Sequence, residues 1–165
     1  MSNSGNSQFV RRGLLMAGVL AGALAAATAA SAGECPADKM VMSGKGQKAG
    51  AMAPKDVTDT VLGSINLAKE PIAINDRQFR LRRLEIMPGG EVPWHSHDDR
   101  PALIYIVEGE VTEYSSDCSV PIIHKAGEVS PETREVAHWW KNTGKTKAVL
   151  ISADLLHAKA DGHVM

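Results

Sequence analysis

The chain has 165 residues, a length that suits one domain better than two. It carries 18 basic and 19 acidic residues, so its formal net charge at pH 7 is −1. This balance favours neither nucleic acid nor an anionic membrane surface as a partner, and we set both classes of function aside.

The first 32 residues have the organisation of an export signal. Arg11 and Arg12 precede an apolar stretch at 14–30, and Ala30-Ser31-Ala32 forms a small-residue cleavage pattern. A retained anchor is the alternative, but the stretch is short and only weakly hydrophobic for a membrane span. The arginine pair resembles a twin-arginine signal, with an ordinary secretory signal as the other interpretation. We expect a periplasmic or secreted protein with no membrane anchor after cleavage.

Cleavage would leave a mature chain that begins with a small, polar, glycine-rich segment at 33–56. Such a composition predicts a flexible tail that runs over the surface. Cys35 lies in this tail, and Cys118 is the only other cysteine. In an oxidising compartment the two are expected to form a disulfide, although two unrelated thiols are the alternative.

From residue 57 onward, short β-branched and alternating segments are separated by turns rich in glycine and asparagine. This pattern predicts an all-β sandwich, jelly roll or barrel over 57–156, followed by a polar tail at 157–165. Pro88-Gly89-Gly90 is expected to break the second strand. The predicted strands are 57–67, 78–87, 102–107, 120–124, 136–140 and 148–153.

The segment 102–107, Ala-Leu-Ile-Tyr-Ile-Val, is apolar on both faces of a strand. A strand with one solvated face should alternate, so we expect both faces to be covered. A second sheet would cover one face. The other would be covered by the N-terminal tail or by a second subunit, which would make the protein a homodimer.

His95-Ser96-His97 is the sharpest local feature of the sequence. Residues i and i+2 of a strand point to the same face, so both imidazoles should project together and offer half of a site for a divalent metal. Such a pair occurs in other settings too, for example as loop histidines bonded to nearby carbonyl groups.

The surrounding spacing resembles the two motifs of the cupin superfamily. The first, G-x5-H-x-H-x4-E-x6-G, is matched by Gly89, His95, His97 and Gly109; the second, G-x5-P-x-G-x2-H-x3-N, by Gly127, His138 and Asn142. The resemblance covers roughly residues 78–153. It implies an RmlC-like jelly-roll β-barrel, a fold that hosts many unrelated activities.

The resemblance also implies one divalent transition metal (Fe, Mn, Ni, Cu or Zn) bound by His95, His97 and His138. Ala102 stands in the slot of the usual glutamate ligand, so three neutral histidines would leave the site with a charge of +2. Glu132 and Glu135 are two candidates to replace that ligand. Thr133 and Glu135 also stand in the proline and glycine slots of the second motif, which predicts a different turn before His138.

Three further residues are candidates for the chemistry. Trp140 should face inward with His138 and either shape a pocket or pack in the core. Arg100 could hold an anionic substrate, or pair with the adjacent Asp98 and Asp99. His124 could serve as a general base or be a core histidine.

The remaining polar candidates are expected to be structural. Asn142 is assigned to the turn with Gly144. Glu108, Glu110 and Glu113 are assigned to a solvated edge.

Three functions remain open. The first is a small-molecule metalloenzyme of the oxygenase, isomerase or lyase type. The second is a non-catalytic cupin that binds a metal or small ligand, and the third is a structural barrel with a degenerate site. In the first two the partner is a small molecule, and an open +2 centre would favour an anionic one.

Overall fold

The computed structural model describes Met1 and residues 33–158. The predicted leader at 2–32 and the end of the chain at 159–165, which includes His163, lie outside the described residues. Within the described part no helix is long and apolar enough to cross a membrane. Its eight strands are β1 (Lys55–Asn66), β2 (Arg77–Ser96), β3 (Ala102–Glu108), β4 (Glu110–Ser115), β5 (Ile122–Lys125), β6 (Val129–Glu132), β7 (Ala137–Lys141) and β8 (Ala148–His157).

The long strand β2 belongs to two sheets. Its first half pairs with β1 and β8, and its second half pairs with β7. The predicted break at Pro88-Gly89-Gly90 is therefore wrong, because the strand turns a corner there without ending. Gly89 has a φ of +78°, which a residue without a Cβ adopts at little cost.

The two sheets form a nearly closed all-β jelly-roll barrel. One sheet has the order β1-β2-β8-β3-β6, and the other has the order β2-β7-β4-β5. Inward-facing apolar side chains from both sheets form a single core. Its buried members are Leu84, Ile86, Val92, Ile106, Val111, Trp140, Ala148 and Leu150.

Two strands were not predicted, β4 and β6. β4 contains Glu110 and Glu113, and β6 contains Pro131. Glutamate and proline have low β-propensity, so the local sequence did not predict strands there. The last strand also runs to His157, beyond its predicted end at 153. In each case hydrogen bonding to neighbouring strands outweighs the intrinsic secondary-structure preference of the residues.

The segment at 33–54 lies along the β4–β7 side of the barrel. The backbone amide of Gln47 donates to the carbonyl of Ser115 at 2.8 Å, and the indole of Trp139 donates to the carbonyl of Lys48 at 3.2 Å. A disulfide joins Cys35 to Cys118 across 83 residues, with the Cα atoms 5.8 Å apart. The segment is irregular, yet it is held to the barrel and is not a free tail.

The outer face of β3 is not covered by any other segment of residues 33–158. Leu103, Tyr105 and Val107 are 55, 45 and 44% exposed. The segment at 33–54 packs on the opposite sheet, so it does not cover them. They continue an apolar surface that crosses neighbouring strands through Leu81 and Val129.

Candidate metal centre

The three predicted histidines meet inside the barrel. His95 lies near the end of β2, directly opposite His138 in β7, and His97 follows immediately after β2. The Nε2 atom of His95 lies 2.9 Å from that of His97 and 3.2 Å from that of His138. Residues from two strands and one turn thus direct three imidazole nitrogens at one point.

Each ring is oriented by an acceptor on its other nitrogen. Nδ1 of His95 donates to the carbonyl of Pro93 at 2.8 Å, and Nδ1 of His97 donates to the carbonyl of Arg100 at 2.8 Å. Nδ1 of His138 donates to Oε1 of Glu113 at 2.5 Å. A proton on each Nδ1 leaves the lone pair of each Nε2 exposed, the state in which histidine binds a metal.

The surroundings keep two of these rings neutral. Burial, together with the nearby His138, lowers the pKa of His95 to about 2 and that of His97 to about 3. Burial acts in the same direction on His138, but the carboxylates of Glu132 and Glu113 outweigh it and raise the pKa of that ring. Neutral imidazoles offer a metal ion ligands that need not first lose a proton.

The spacing of the three nitrogens fits a transition metal. Imidazole nitrogens bind such ions at about 2.0–2.1 Å, so two ligands at right angles around one ion lie about 3 Å apart. The observed separations of 2.9 and 3.2 Å agree with that value. The donor set therefore suits one divalent ion in a facial, three-histidine arrangement.

Two buried carboxylates lie beside this cluster: Glu132, a candidate ligand from the sequence, and Glu113, which was not identified as a site residue. Glu113, assigned above to a solvated edge, is buried and accepts hydrogen bonds from His138 and from His124. Glu132 is also buried, and its Oε2 lies 3.1 Å from Nε2 of His138. Burial raises the pKa of Glu132 to about 8, whereas the two histidine hydrogen bonds hold the pKa of Glu113 at about 2 despite its burial. The alternation of inward-facing and outward-facing residues along β4 is the one sequence signal that could have indicated that Glu113 is buried.

A small cavity adjoins the histidines, with an accessible volume of about 30 Å³. Trp140 faces inward as predicted and forms part of the wall, with its ring perpendicular to that of His138. Most of the remaining wall is aliphatic, and it comes from Leu84, Val92, Ile104 and Leu150. The cavity therefore suits a small molecule.

The predicted anion-binding residue Arg100 does not line this cavity. Its guanidinium is buried and donates to Asp154 at 3.2 Å, so its predicted partners Asp98 and Asp99 are also wrong. Arg82 lines the cavity instead, pairing with Asp59 and donating to Ser152 at 3.3 Å.

Two other polar residues considered from the sequence, His124 and Asn142, have structural roles. His124 is buried beneath Trp140, with the two rings stacked at 4.6 Å between centroids, and it lies outside the cavity wall. Asn142 donates to the carbonyls of Ile86 and Thr146 and accepts from the amide of Gly144, so it belongs to the turn as expected.

A jelly-roll barrel with three inward histidines is typical of one class of protein, the β-barrels of the cupin type. Residues 82–154 match the Cupin_2 cupin-domain family. A cupin domain therefore lies at 82–154, within the barrel of this chain.

Several known proteins are similar to parts of the chain. Germin-like protein subfamily 2 member 2 of Arabidopsis thaliana is 30% identical over 111 residues, which are 64% of this chain and 50% of that protein. The chain thus spans about half the length of the curated relatives that it matches. Nectarin-1 of Nicotiana langsdorffii x Nicotiana sanderae is 29% identical over 110 residues, 62% of this chain and 48% of that protein.

Among solved structures, a predicted oxalate decarboxylase from Thermotoga maritima superposes with a TM-score of 0.52 at 20% identity. That match covers 74% of this chain and 98% of the other. At this level of identity the likeness concerns the fold alone.

Proposed function

We propose that this protein is an exported metal-dependent enzyme of the oxygenase, isomerase or lyase type that acts on a small organic anion. His95, His97 and His138 are the proposed ligands of one divalent transition metal. The observation that supports this most directly is the convergence of three Nε2 atoms whose lone pairs face one another. Imidazole nitrogens directed at one point form a donor set that suits a divalent transition metal.

The bound metal would supply Lewis acidity, or redox capacity if it is iron, manganese or copper. The chain's own residues orient and enclose the reactant. Glu113 holds the ring of His138 through Nδ1, and Trp140 with the aliphatic wall gives the cavity a mainly apolar lining. In such an apolar cavity, electrostatic contacts to a substrate are stronger than in water.

Size and charge define the proposed substrate class. The small cavity favours a molecule of a few non-hydrogen atoms. Arg82 lies in the wall, and its Nε is buried without a hydrogen-bond partner among the described residues. A guanidinium with an unused donor suits a carboxylate, and we assign Arg82, in place of Arg100, as the group that favours an anion.

The test begins with metal content. The protein is purified from the periplasm or culture medium of its native host, and its metals are measured by elemental mass spectrometry. About one equivalent of a single transition metal, lost in His95→Ala/His97→Ala and retained in the exposed control His157→Ala, supports the proposal. A native protein without metal contradicts it.

The second candidate is a non-catalytic cupin that binds a metal or a small ligand. The observation that favours it is Glu132, whose Oε2 at 3.1 Å from His138 could occupy a coordination position that a substrate needs. Turnover of a panel of small carboxylates by the metal-loaded protein distinguishes the two. Binding without turnover across that panel would favour the binding module.

We also propose that the apolar outer face of β3 packs against a second copy of the chain. Leu81, Ala153 and Leu103 lie side by side across β2, β8 and β3, so the exposed side chains form one continuous surface. The segment at 33–54 is held on the other sheet by Ser115 and Trp139. The sequence predicted that either the N-terminal tail or a second subunit covers this face. Since the tail packs elsewhere, we assign the face to a second subunit.

A further inference from the structure

Ala102 and Glu132 are direct cross-strand partners. They face each other between β3 and β6, and opposite residues in an antiparallel pair have their side chains on the same face with Cβ atoms about 5 Å apart. Ala102 occupies the position where the cupin motif has its glutamate ligand. Glu132 therefore points into the barrel from the strand next to the vacated slot.

The side chain of Glu132 reaches the histidine cluster. Its Oε2 lies 3.1 Å from Nε2 of His138 and 3.7 Å from Nε2 of His97. The first distance equals the spacing of about 3 Å expected between neighbouring ligands of one ion. Oε2 thus lies where a fourth ligand of the same metal would lie.

Burial makes this position costly without a cation. Glu132 is 2% exposed, and its Oε1 has no hydrogen-bond partner among the residues at 33–158. A buried carboxylate is destabilising unless it is paired or coordinates a metal. Three imidazoles and one carboxylate form a donor set that suits a divalent transition metal.

The second carboxylate, Glu113, has a different role. It contacts Nδ1 of His138, on the side of the ring that faces away from Nε2, and its other oxygen accepts from His124 at 2.8 Å. Both of its oxygens are therefore engaged away from the point where the three Nε2 atoms meet. Glu113 orients a ligand, and Glu132 remains as the carboxylate that can bind the ion.

We propose that Glu132 is the fourth metal ligand, so that the carboxylate missing from β3 is supplied by the neighbouring strand β6. This inference rests on the proposed three-histidine metal site and changes its character. The metal and its protein ligands would together carry +1 instead of +2, and one fewer position would be open to substrate. The site would then have the ligand set of its family with a different connectivity.

The experiment compares metal affinities of purified, metal-stripped proteins by competition with a chromophoric chelator, with Mn²⁺ and Zn²⁺ as the probes. Glu132→Gln keeps the side-chain volume and removes the charge. We expect its affinity to fall by more than the roughly 10–100-fold typical of losing a group that only orients a ligand. The exposed control Glu135→Gln should bind like wild type.

The double variant Ala102→Glu/Glu132→Ala moves the carboxylate back to β3 and should regain most of the affinity. Thermal unfolding of each metal-stripped protein reports folding separately from metal binding.

The outcomes separate the two proposals. If wild type binds neither metal, the three-histidine site itself fails. If wild type binds tightly and Glu132→Gln binds equally well, the histidine site stands and the role of Glu132 is overturned. A Glu132→Gln loss that the double variant does not recover would also overturn the placement of the ligand, provided that the double variant unfolds as wild type does.

Discussion

Glu113 accepts a hydrogen bond of 2.5 Å from Nδ1 of His138 in the interior of the barrel. The same carboxylate accepts from Nε2 of His124, whose ring stacks on Trp140. One buried charge therefore fixes the tautomer of a proposed metal ligand and links it to the aromatic wall of the cavity. Carboxylate–histidine pairs of this kind increase the basicity of the metal-binding nitrogen.

Replacing Glu113 by glutamine should weaken metal binding by about 10–100-fold. An amide has one acceptor oxygen, so it cannot accept from both His138 and His124, and one of its N–H donors must face a ring nitrogen. Chelator competition measures the effect, with the exposed Glu108→Gln as the matched control. Equal affinities of Glu113→Gln and wild type would show that Glu113 does not orient His138.

Removing the disulfide should lower the free energy of unfolding by about 4 kcal/mol, because the bond between Cys35 and Cys118 closes a loop of 83 residues in the unfolded chain. Urea denaturation of Cys35→Ser/Cys118→Ser against wild type measures the change. A reductant should destabilise wild type and leave the double variant unaffected. Coincident unfolding curves for wild type and the double variant would contradict this prediction.

The outer face of β3 should mediate a homodimer. Leu81→Lys/Leu103→Lys places two charges on this surface and should convert the dimer to a monomer, as measured by light scattering during size-exclusion chromatography. Ile123→Lys is the control, since Ile123 is similarly exposed but lies in β5 of the other sheet. A monomeric wild type would show that something other than a second copy covers this face.

His157 should titrate above its ordinary pKa of 6.5. Its ring hydrogen-bonds to Asp76 at 2.8 Å and also to Asp99, and these two carboxylates raise the pKa. The interactions of protonated His157 with these two carboxylates stabilise the fold fully below pH 6.5. This stabilisation is lost as the pH rises through the elevated pKa of His157. NMR titration should show a lower pKa of His157 in Asp76→Asn than in wild type. An unchanged pKa would show that Asp76 does not raise the pKa of His157.

Local sequence patterns were sufficient for the strand character of the chain and for three site residues. The spacing of His95, His97 and His138 matched a known pattern, and the structure brings their Nε2 atoms together. Alternation along β7 likewise placed Trp140 inside the barrel. The directions of His95 and Trp140 follow from alternation along a single strand. The approach of His138 to His95 matched the spacing of a known motif and depends on the pairing of β7 with β2.

The tertiary structure decided which of the charged groups, including the sequence candidate Glu132 but not Glu135, surround the histidines. Glu113 and Glu132 enter the site because β4 lies beside β7 and β6 lies beside β3, and Arg82 replaces Arg100 because β2 crosses the cavity wall. Strand pairing between distant segments is set by the packing of the whole barrel, which no short motif encodes. The sequence by itself thus determined the fold class and the three histidines that converge, whereas the positions of the carboxylates beside them depend on which strands become neighbours.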